Sequence, residues 1–234
     1  MNVAVVGGTG AEGSGLALRF AKAGHQVIIG SRDADRGAAS ASRASELVGA
    51  TVRGTDNASA AADAGDDGVV VVTVPYEGQA EICRSIKDAV VPGAVVLDAT
   101  SPLATAVGGR PWQVLRPWHG SAAEQAQAIL GDGPRVVAGF HTIAAGALRA
   151  LDRAIESDVL LCADDPEAKA RAGSLIEGIP GMRWLDAGRL EMARVTEPLT
   201  ALLVSINRTY RVKDAGFRIV GDEAWGAPGG SAGG

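Results

Sequence analysis

The chain has 234 residues, of which 47% are apolar and 21% are charged, and its formal net charge at pH 7 is −5. These values exclude a disordered chain, and the acidic balance argues against a nucleic-acid-binding protein, which usually carries a basic face. No segment approaches the roughly 18 apolar residues that a membrane span needs. Cys83 and Cys162 lie far apart, without metal-ligand spacing. We therefore expect a cytoplasmic protein with reduced thiols, no metal and no membrane partner.

Apolar, β-branched segments alternate with helical segments, a pattern typical of a parallel sheet covered by helices on both faces. Six strands are predicted before residue 140, at Asn2–Val6, Gln26–Gly30, Thr51–Arg53, Val69–Val74, Val95–Ala99 and Arg135–Gly139. The helices between them are predicted to begin near Glu12, Asp33, Asn57, Glu77 and Ser121. Asp33 and Ser121 are suitable N-caps. The pattern predicts an α/β fold with a Rossmann-type, doubly wound parallel sheet.

Segment 101–117 is rich in Gly, Pro and small residues, and this composition predicts a long loop. The C-terminal third is predicted to form a strand, a helix, a strand and a long helix, at Asp158–Cys162, Pro166–Glu177, Met182–Asp186 and Leu190–Arg211. Pro198 predicts a kink or break in that last helix. Residues 222–234 consist largely of Gly, Ala and Pro, so we expect a disordered tail there.

A glycine-rich turn follows the first predicted strand and leads into the first helix. In Gly8-x-Gly10-x-x-Gly13, the glycines permit a tight turn, close approach of the backbone to a pyrophosphate, and close packing of the helix on the strand. Backbone N–H groups at the helix N-terminus then favour an anion. Because strand, turn and helix belong to a βαβ unit of about thirty residues, the pattern predicts a dinucleotide site.

The end of the second predicted strand indicates which dinucleotide is bound. An NAD-binding chain usually carries an Asp or Glu there, which binds the ribose hydroxyls and repels a 2′-phosphate. This chain instead has Ser31-Arg32, and Arg32 can bind a phosphate through two parallel hydrogen bonds. Arg36 is either a further phosphate ligand or a solvated surface residue. The pair predicts NADP(H), and we expect the Glu12 carboxylate to point to solvent while its backbone N–H serves the phosphate.

Four motifs occur in the order and spacing of a known family: Gly7-Gly8-Thr9-Gly10, Gly30-Ser31-Arg32, His141-Thr142-Ile143 and Leu185-Asp186-Ala187-Gly188. From Met1 to about Gly221, the chain resembles the NADPH-dependent reductases of coenzyme F420, the F420H2:NADP oxidoreductases. The resemblance implies reversible hydride transfer between NADP(H) and the deazaflavin F420. It implies an NADP-binding Rossmann domain over residues 1–146 and a small C-terminal α/β domain over residues 147–221, with the cofactor cleft between them.

The resemblance also implies roles for residues at matching positions. The pyrophosphate would be held by Thr9, Gly10, Ala11 and Glu12, and the 2′-phosphate by Ser31, Arg32 and Arg36. The path toward the nicotinamide would be lined by Val74, Gly78 and Ala104, with Ala145 close to that ring and with Ile143 and Ala144 toward the deazaflavin. His141 either positions a ring or relays a proton, and positioning is favoured.

The C-terminal side of the chain leaves several interpretations open. The family lacks the segment 108–112 and often has Pro in place of Ala144. Four basic residues either bind the phosphate and glutamate tail of F420 or complement a helix dipole: Arg208, Arg211, Lys213 and Arg218. An apolar stripe at helical spacing indicates either core or a dimer interface, and we expect a homodimer: Leu199, Leu202, Leu203 and Ile206.

Two other functions remain compatible with these motifs. The same N-terminal domain suits an NADPH-dependent reductase of a small imine or carbonyl substrate. It also suits a non-catalytic NADP(H)-sensing protein, although a C-terminal domain that completes a cleft favours an enzyme.

Overall fold

A six-stranded parallel sheet forms the centre of the computed structural model, which describes residues 1–221. Its strands are β1 (Asn2–Val6), β2 (Gln26–Ser31), β3 (Arg53–Asp56), β4 (Val69–Val72), β5 (Val95–Asp98) and β6 (Arg135–Ala138). Their order is β3-β2-β1-β4-β5-β6. This is a Rossmann-type order, and it confirms the predicted fold class. The topological switch point lies between β1 and β4. The predicted tail at 222–234 lies outside the described residues.

Helices cover both faces of the sheet. They are α1 (Ala11–Lys22), α2 (Ala34–Val48), α3 (Asn57–Ala64), α4 (Tyr76–Ile86), α5 (Ala122–Leu130), α6 (Ala145–Arg149), α7 (Pro166–Glu177), α8 (Ala193–Thr196) and α9 (Leu199–Tyr210). In every strand except β3, alternate residues enter opposite apolar layers: Val3 and Val5 pack with α1, whereas Ala4 and Val6 pack with α3 and α4. Within residues 1–221, no helix is long and apolar enough to cross a membrane.

The chain after β6 attaches to that edge of the sheet. A second, two-stranded parallel sheet consists of β7 (Asp158–Leu161) and β8 (Arg183–Asp186). Ala138 and Cys162 exchange two backbone hydrogen bonds, of 2.8 and 3.0 Å, which join the two sheets. Leu175 of α7 lies in the same apolar layer as Val137 of β6. The boundary expected between residues 146 and 147 falls within α6, so the two parts of the chain share one core.

Strand β3 begins two residues later in the structure than the sequence predicts. Strand β3 reads Arg-Gly-Thr-Asp and begins at Arg53, whereas apolar patterning favoured Thr51–Arg53. Gly54 packs directly against the backbone of Gly37, so α2 approaches this edge strand without any apolar side chain between them. A strand that is held by such backbone contact carries no hydrophobic periodicity, which explains the error.

Four short helices are not separately predicted from the sequence. The long predicted helix over Leu190–Arg211 consists of a 3₁₀ turn at Leu190–Met192 followed by α8 and α9, with the break before Pro198 as expected. A 3₁₀ helix at Ala104–Val107 lies inside the predicted loop, and α6 has only five residues. Such short helices lack the length that makes an amphipathic pattern recognisable. The predicted caps Asp33 and Ser121 are confirmed, because each accepts a hydrogen bond from a first-turn N–H group.

Candidate active site

A cavity of about 650 Å³ opens at the carboxyl ends of β1, β2 and β4, beside the switch point. The structure brings seven of the sequence-predicted residues to its walls: Thr9, Gly10, Ser31, Arg32, Arg36, Val74 and Gly78. Asn57, Thr73, Glu77 and Glu81 also line it and were not predicted. Asn57 and Thr73 directly follow β3 and β4, and this position at the ends of strands is the signal that could have identified them.

The glycine turn is tightly packed beneath and open toward the cavity. Gly7 adopts φ +73°, a conformation that favours glycine, and its N–H donates to Asn57 Oδ1 at 3.2 Å. A Cβ on Gly8 would lie 2.6 Å from the carbonyl oxygen of Val5. A Cβ on Gly10 would have its nearest neighbour at 3.5 Å. The backbone is therefore fixed from below and accessible from above, which fits a pyrophosphate.

Helix α1 begins at this turn without a side-chain cap. Its N-cap residue is Gly10, which has no side chain to accept a hydrogen bond. Four other helices are capped by side chains, those of Asp33, Asp56, Ser121 and Asp165. The first-turn N–H groups of α1, which include those of Ala11 and Glu12, thus have no side-chain acceptor. This arrangement is suited to bind an anion from the cavity side.

The cavity wall next to β2 carries two positive charges. Ser31 is buried at the end of β2, and Arg32 and Arg36 are exposed along the cavity wall. Within residues 1–221, neither arginine forms a salt bridge. Asp33 directs one carboxylate oxygen to the N–H of Arg36 at 3.2 Å, as the cap of α2. Two guanidinium groups beside a buried hydroxyl form a suitable phosphate-binding set.

The expectation that the Glu12 carboxylate points to solvent is wrong. Its side chain is half-buried, and burial together with the nearby Asp98 carboxylate raises its pKa to about 8. At neutral pH, Glu12 is therefore largely protonated. A neutral carboxyl group at this position does not repel a phosphate, whereas a carboxylate would.

Asp98 lies at the end of β5 in a buried polar network that the sequence did not reveal. It accepts hydrogen bonds from the Gln79 side chain and from the Thr100 N–H, and burial raises its pKa to about 6. Glu197, between α8 and α9, accepts bonds from the N–H groups of Ala122 and Ala123 at 2.8 and 3.0 Å. Burial raises the Glu197 pKa to about 8 despite these bonds. The network connects the C-terminal helices to the carboxyl end of the sheet.

His141 follows β6 in a constrained position. The preceding residue, Phe140, has φ +67°, which is unusual for a bulky side chain. Both imidazole nitrogens are buried and lack a hydrogen-bond partner within the described part of the chain. Burial lowers the His141 pKa to about 4, so the ring is neutral. Its backbone oxygen accepts a bond from Thr200 Oγ1 at 2.6 Å.

The six remaining sequence-predicted residues do not line the 650 Å³ cavity. Ala11 and Glu12 lie in the first turn of α1. Ala104 is buried at the start of its 3₁₀ helix, and Ile143 is buried in the apolar layer that contains Phe140. Ala144 and Ala145 are half-buried at the N-terminus of α6.

Two curated relatives match the chain over nearly its whole length. The F420-dependent NADP reductase of Methanothermobacter thermautotrophicus is 44% identical over 223 residues, which cover 94% of each chain. That of Methanocaldococcus jannaschii is 38% identical over 224 residues, which cover 94% of this chain and 98% of the relative. The chain belongs to the F420-dependent NADP reductase family.

Two further comparisons agree with this membership. A family model described as "NADP oxidoreductase coenzyme F420-dependent" matches residues 2–102. A solved structure from Arthrobacter sp. FB24, provisionally described as an F420-dependent NADP reductase, is similar with a TM-score of 0.78 at 23% identity. It covers 94% of this chain and 99% of that one. At this identity, the likeness shows a common fold. The resemblance inferred from the four motifs is thus confirmed.

In this member of the F420-dependent NADP reductase family, a buried arginine connects α1 to α6. Arg19 donates four hydrogen bonds of 2.6–3.0 Å to the carbonyl oxygens of Ala147, Leu148, Ala150 and Arg153. Gly15 lets the helices touch, because a Cβ there would lie 2.6 Å from the Leu148 Cβ. The turn that carries Ala144 and Ala145 is therefore fixed relative to α1. An arginine within an amphipathic helix gave no sequence signal for this role.

Proposed function

We propose that the protein transfers a hydride reversibly between NADP(H) and the deazaflavin coenzyme F420. The observation that carries this proposal is the convergence of the glycine turn with Ser31, Arg32 and Arg36 on one cavity, in a chain related to F420-dependent NADP reductases over nearly its full length. When bound, the two cofactors supply the redox chemistry themselves. The chain itself binds the two cofactors, orients them and excludes water.

The nucleotide is held by groups with distinct tasks. Thr9, Gly10 and the first-turn N–H groups of Ala11 and Glu12 bind the pyrophosphate, while protonation of the Glu12 side chain avoids repulsion. Ser31, Arg32 and Arg36 bind the 2′-phosphate and select NADP(H) over NAD(H). Val74 and Gly78 line the path from the pyrophosphate toward the nicotinamide. Gly78 has nothing within 4 Å of a Cβ position, so this path is open.

The second cofactor occupies the region beyond Val74. Ala144 and Ala145 are small and half-buried, and the buried Ala104 and Ile143 would support them from behind, which suits two planar ring systems placed face to face. Holding two reacting carbons in near-attack geometry supplies most of the rate acceleration for such a transfer. His141 is neutral and buried, so it orients a ring through a hydrogen bond. In this arrangement, residues 1–146 bind NADP(H), and residues 147–221 complete the cleft.

The working unit that we propose is a cytoplasmic homodimer without nucleic-acid partners. Helix α9 leaves Leu202 49% exposed and Tyr210 73% exposed, and Val195 of α8 is 56% exposed. Large apolar side chains on adjacent helices support an interface between copies of the chain. Cys83 and Cys162 are both free and buried, which is compatible with a reducing compartment.

A direct assay distinguishes this proposal from its alternatives. Purified protein is mixed with NADPH and oxidised F420, and the loss of deazaflavin absorbance is followed. We expect rapid bleaching that depends on NADPH. If the protein binds NADPH but the deazaflavin absorbance does not fall, an NADP(H)-sensing protein is favoured. Oxidation of NADPH by a panel of small imines and carbonyls, without reduction of F420, would favour a reductase of those substrates.

A further inference from the structure

One tryptophan of the loop after β5 lies against two arginines. The Arg208 guanidinium carbon is 4.3 Å from the ring centroid of Trp112, and that of Arg110 is 5.4 Å away. Trp112 is half-buried, whereas both arginines are exposed. Cation–π contacts at exposed sites contribute about 0.5–1 kcal/mol each, so the indole holds the two cations in place. We call this group the Arg110–Trp112–Arg208 stack.

The stack carries positive charge without a compensating carboxylate. Both guanidinium groups lie close to one ring, and so within about 10 Å of each other, the Debye length at 0.1 M salt. Neither forms a salt bridge with any residue in 1–221. Other arginines of the C-terminal third do pair with acidic side chains: Arg153, Arg183, Arg189, Arg194 and Arg218. Two adjacent, unpaired cations favour a ligand with more than one negative charge.

The pairing of Arg218 removes it from the basic cluster expected from the sequence. Its guanidinium group contacts Glu156 at 3.1 Å and Asp158 at 3.4 Å. Its role is therefore to hold the end of the described chain against β7. Arg110, which was not part of the expected cluster, lies with Arg208 instead.

The position of the stack relates it to the cleft. Thr200, near the start of α9, bonds to the backbone oxygen of His141 at 2.6 Å and to Ser101 Oγ at 2.7 Å. Arg208 lies eight residues further along the same helix, which corresponds to about 12 Å. The loop after β5 and helix α9 both begin near His141. The Arg110–Trp112–Arg208 stack lies further along both of these segments, away from His141. None of its residues lines the nucleotide cavity.

We propose that Arg110, Trp112 and Arg208 form a binding site for the anionic tail of the deazaflavin, its phosphate and glutamate carboxylates. This inference rests on the proposed function and extends it to substrate selectivity. The two guanidinium groups bind the negative groups of the tail, and Trp112, which contacts both, holds them at a fixed spacing. The deazaflavin ring itself then binds further in, toward His141.

The test compares F420 that carries its phosphate and glutamates with an 8-hydroxy-5-deazaflavin that lacks both. In the double variant Arg110→Ala/Arg208→Ala, we expect the KM for F420 to rise about tenfold, since each exposed ion pair contributes up to about fivefold. The KM for the tail-free compound, the KM for NADPH and kcat should not change. Arg43→Ala, an exposed arginine of α2, is the matched control and should behave as wild type.

A second variant tests the role of the indole. Trp112→Leu keeps both cations but removes the ring that holds them, so we expect a rise of about threefold in the KM for F420 alone. Raising salt from about 0.05 to 0.5 M should weaken F420 binding by wild type more than by the double variant. An unchanged Tm in all variants excludes a folding defect.

The outcomes separate this site from the proposed function. If wild type reduces both deazaflavins and the double variant alters their KM values equally, or alters neither, the tail site is refuted and the function stands. If wild type reduces neither compound, the function is refuted, and the site assignment is refuted with it.

Discussion

Ser31-Arg32 occupies the position at which an acidic residue would select NAD(H), so we propose that nucleotide choice depends on one side chain, that of Arg32. Arg32 lines the cavity and forms no salt bridge within residues 1–221. A charge-assisted hydrogen bond contributes about 1.5–3 kcal/mol, which corresponds to a factor of about 10 to 100 in binding. We therefore expect Arg32→Ala to raise the KM for NADPH by this factor and to leave the KM for NADH nearly unchanged. Steady-state kinetics with both nucleotides check this. An equal rise in the two KM values would refute the 2′-phosphate assignment.

We expect Glu12 to make nucleotide binding depend on pH. Its pKa is raised to about 8, so above about pH 8 it becomes a carboxylate in the first turn of α1, where we propose that the pyrophosphate binds. We expect the KM for NADPH to rise above this pH in wild type and to stay flat in Glu12→Gln, which keeps the shape without the charge. A KM profile measured from pH 6 to 9.5 tests this. The same upward bend in both proteins would exclude Glu12 as its source.

The same pKa shift has a consequence for stability. Because the folded pKa of Glu12 exceeds its ordinary value of 4.5, the native state holds a proton that the unfolded chain releases between these two pH values. Its stabilising contribution is therefore complete below about pH 4.5 and is lost as pH rises toward about 8. The free energy of unfolding should fall less steeply across this window in Glu12→Gln than in wild type. Urea unfolding at several pH values measures the difference, and identical slopes would contradict this assignment.

At the scale of elements, the contact between α1 and α6 positions the second half of the cleft. Removing the Arg19 side chain leaves four carbonyl oxygens without their donor in a buried position. We expect Arg19→Ala to lower the free energy of unfolding by about 3 kcal/mol. Lys22→Ala is the matched control, because Lys22 bonds to the Leu151 carbonyl from an exposed position. It should cost less than about 0.5 kcal/mol. Equal losses in the two variants would show that the buried bonds do not stabilise the contact.

At the scale of the whole molecule, the sequence predicted the features that depend on local periodicity or on a spaced motif. The parallel sheet, the glycine turn and the caps Asp33 and Ser121 all have such signals. The buried network of Asp98 and Glu197 has none, because its members come together only when distant elements pack. Glu12 shows the same limit: its position in the motif is evident from the sequence, but its raised pKa results from burial in the folded protein and, to a smaller extent, from Asp98 at the end of another strand.

The exposed apolar side chains of α8 and α9 form the candidate interface of the proposed homodimer. If this face forms the interface of a homodimer, Leu202→Glu should convert the protein to a monomer, because a charge cannot be buried there without a partner. Light scattering coupled to size exclusion measures the mass directly. Leu47→Glu places the same charge on an exposed leucine of α2 and should leave the dimer intact. A wild-type monomer, or a dimer that persists in Leu202→Glu, would refute this interface.

The central claim is that a hydride passes directly from NADPH to F420 within one cleft. NADPH labelled with deuterium at C4, in each of its two stereochemical forms, tests it most directly. After a single turnover with oxidised F420, mass spectrometry of the reduced deazaflavin locates the label. We predict that one of the two forms delivers its deuterium to carbon 5 of the deazaflavin without exchange with solvent. Reduced F420 without deuterium from either form, or no reduction at all, would contradict the claim.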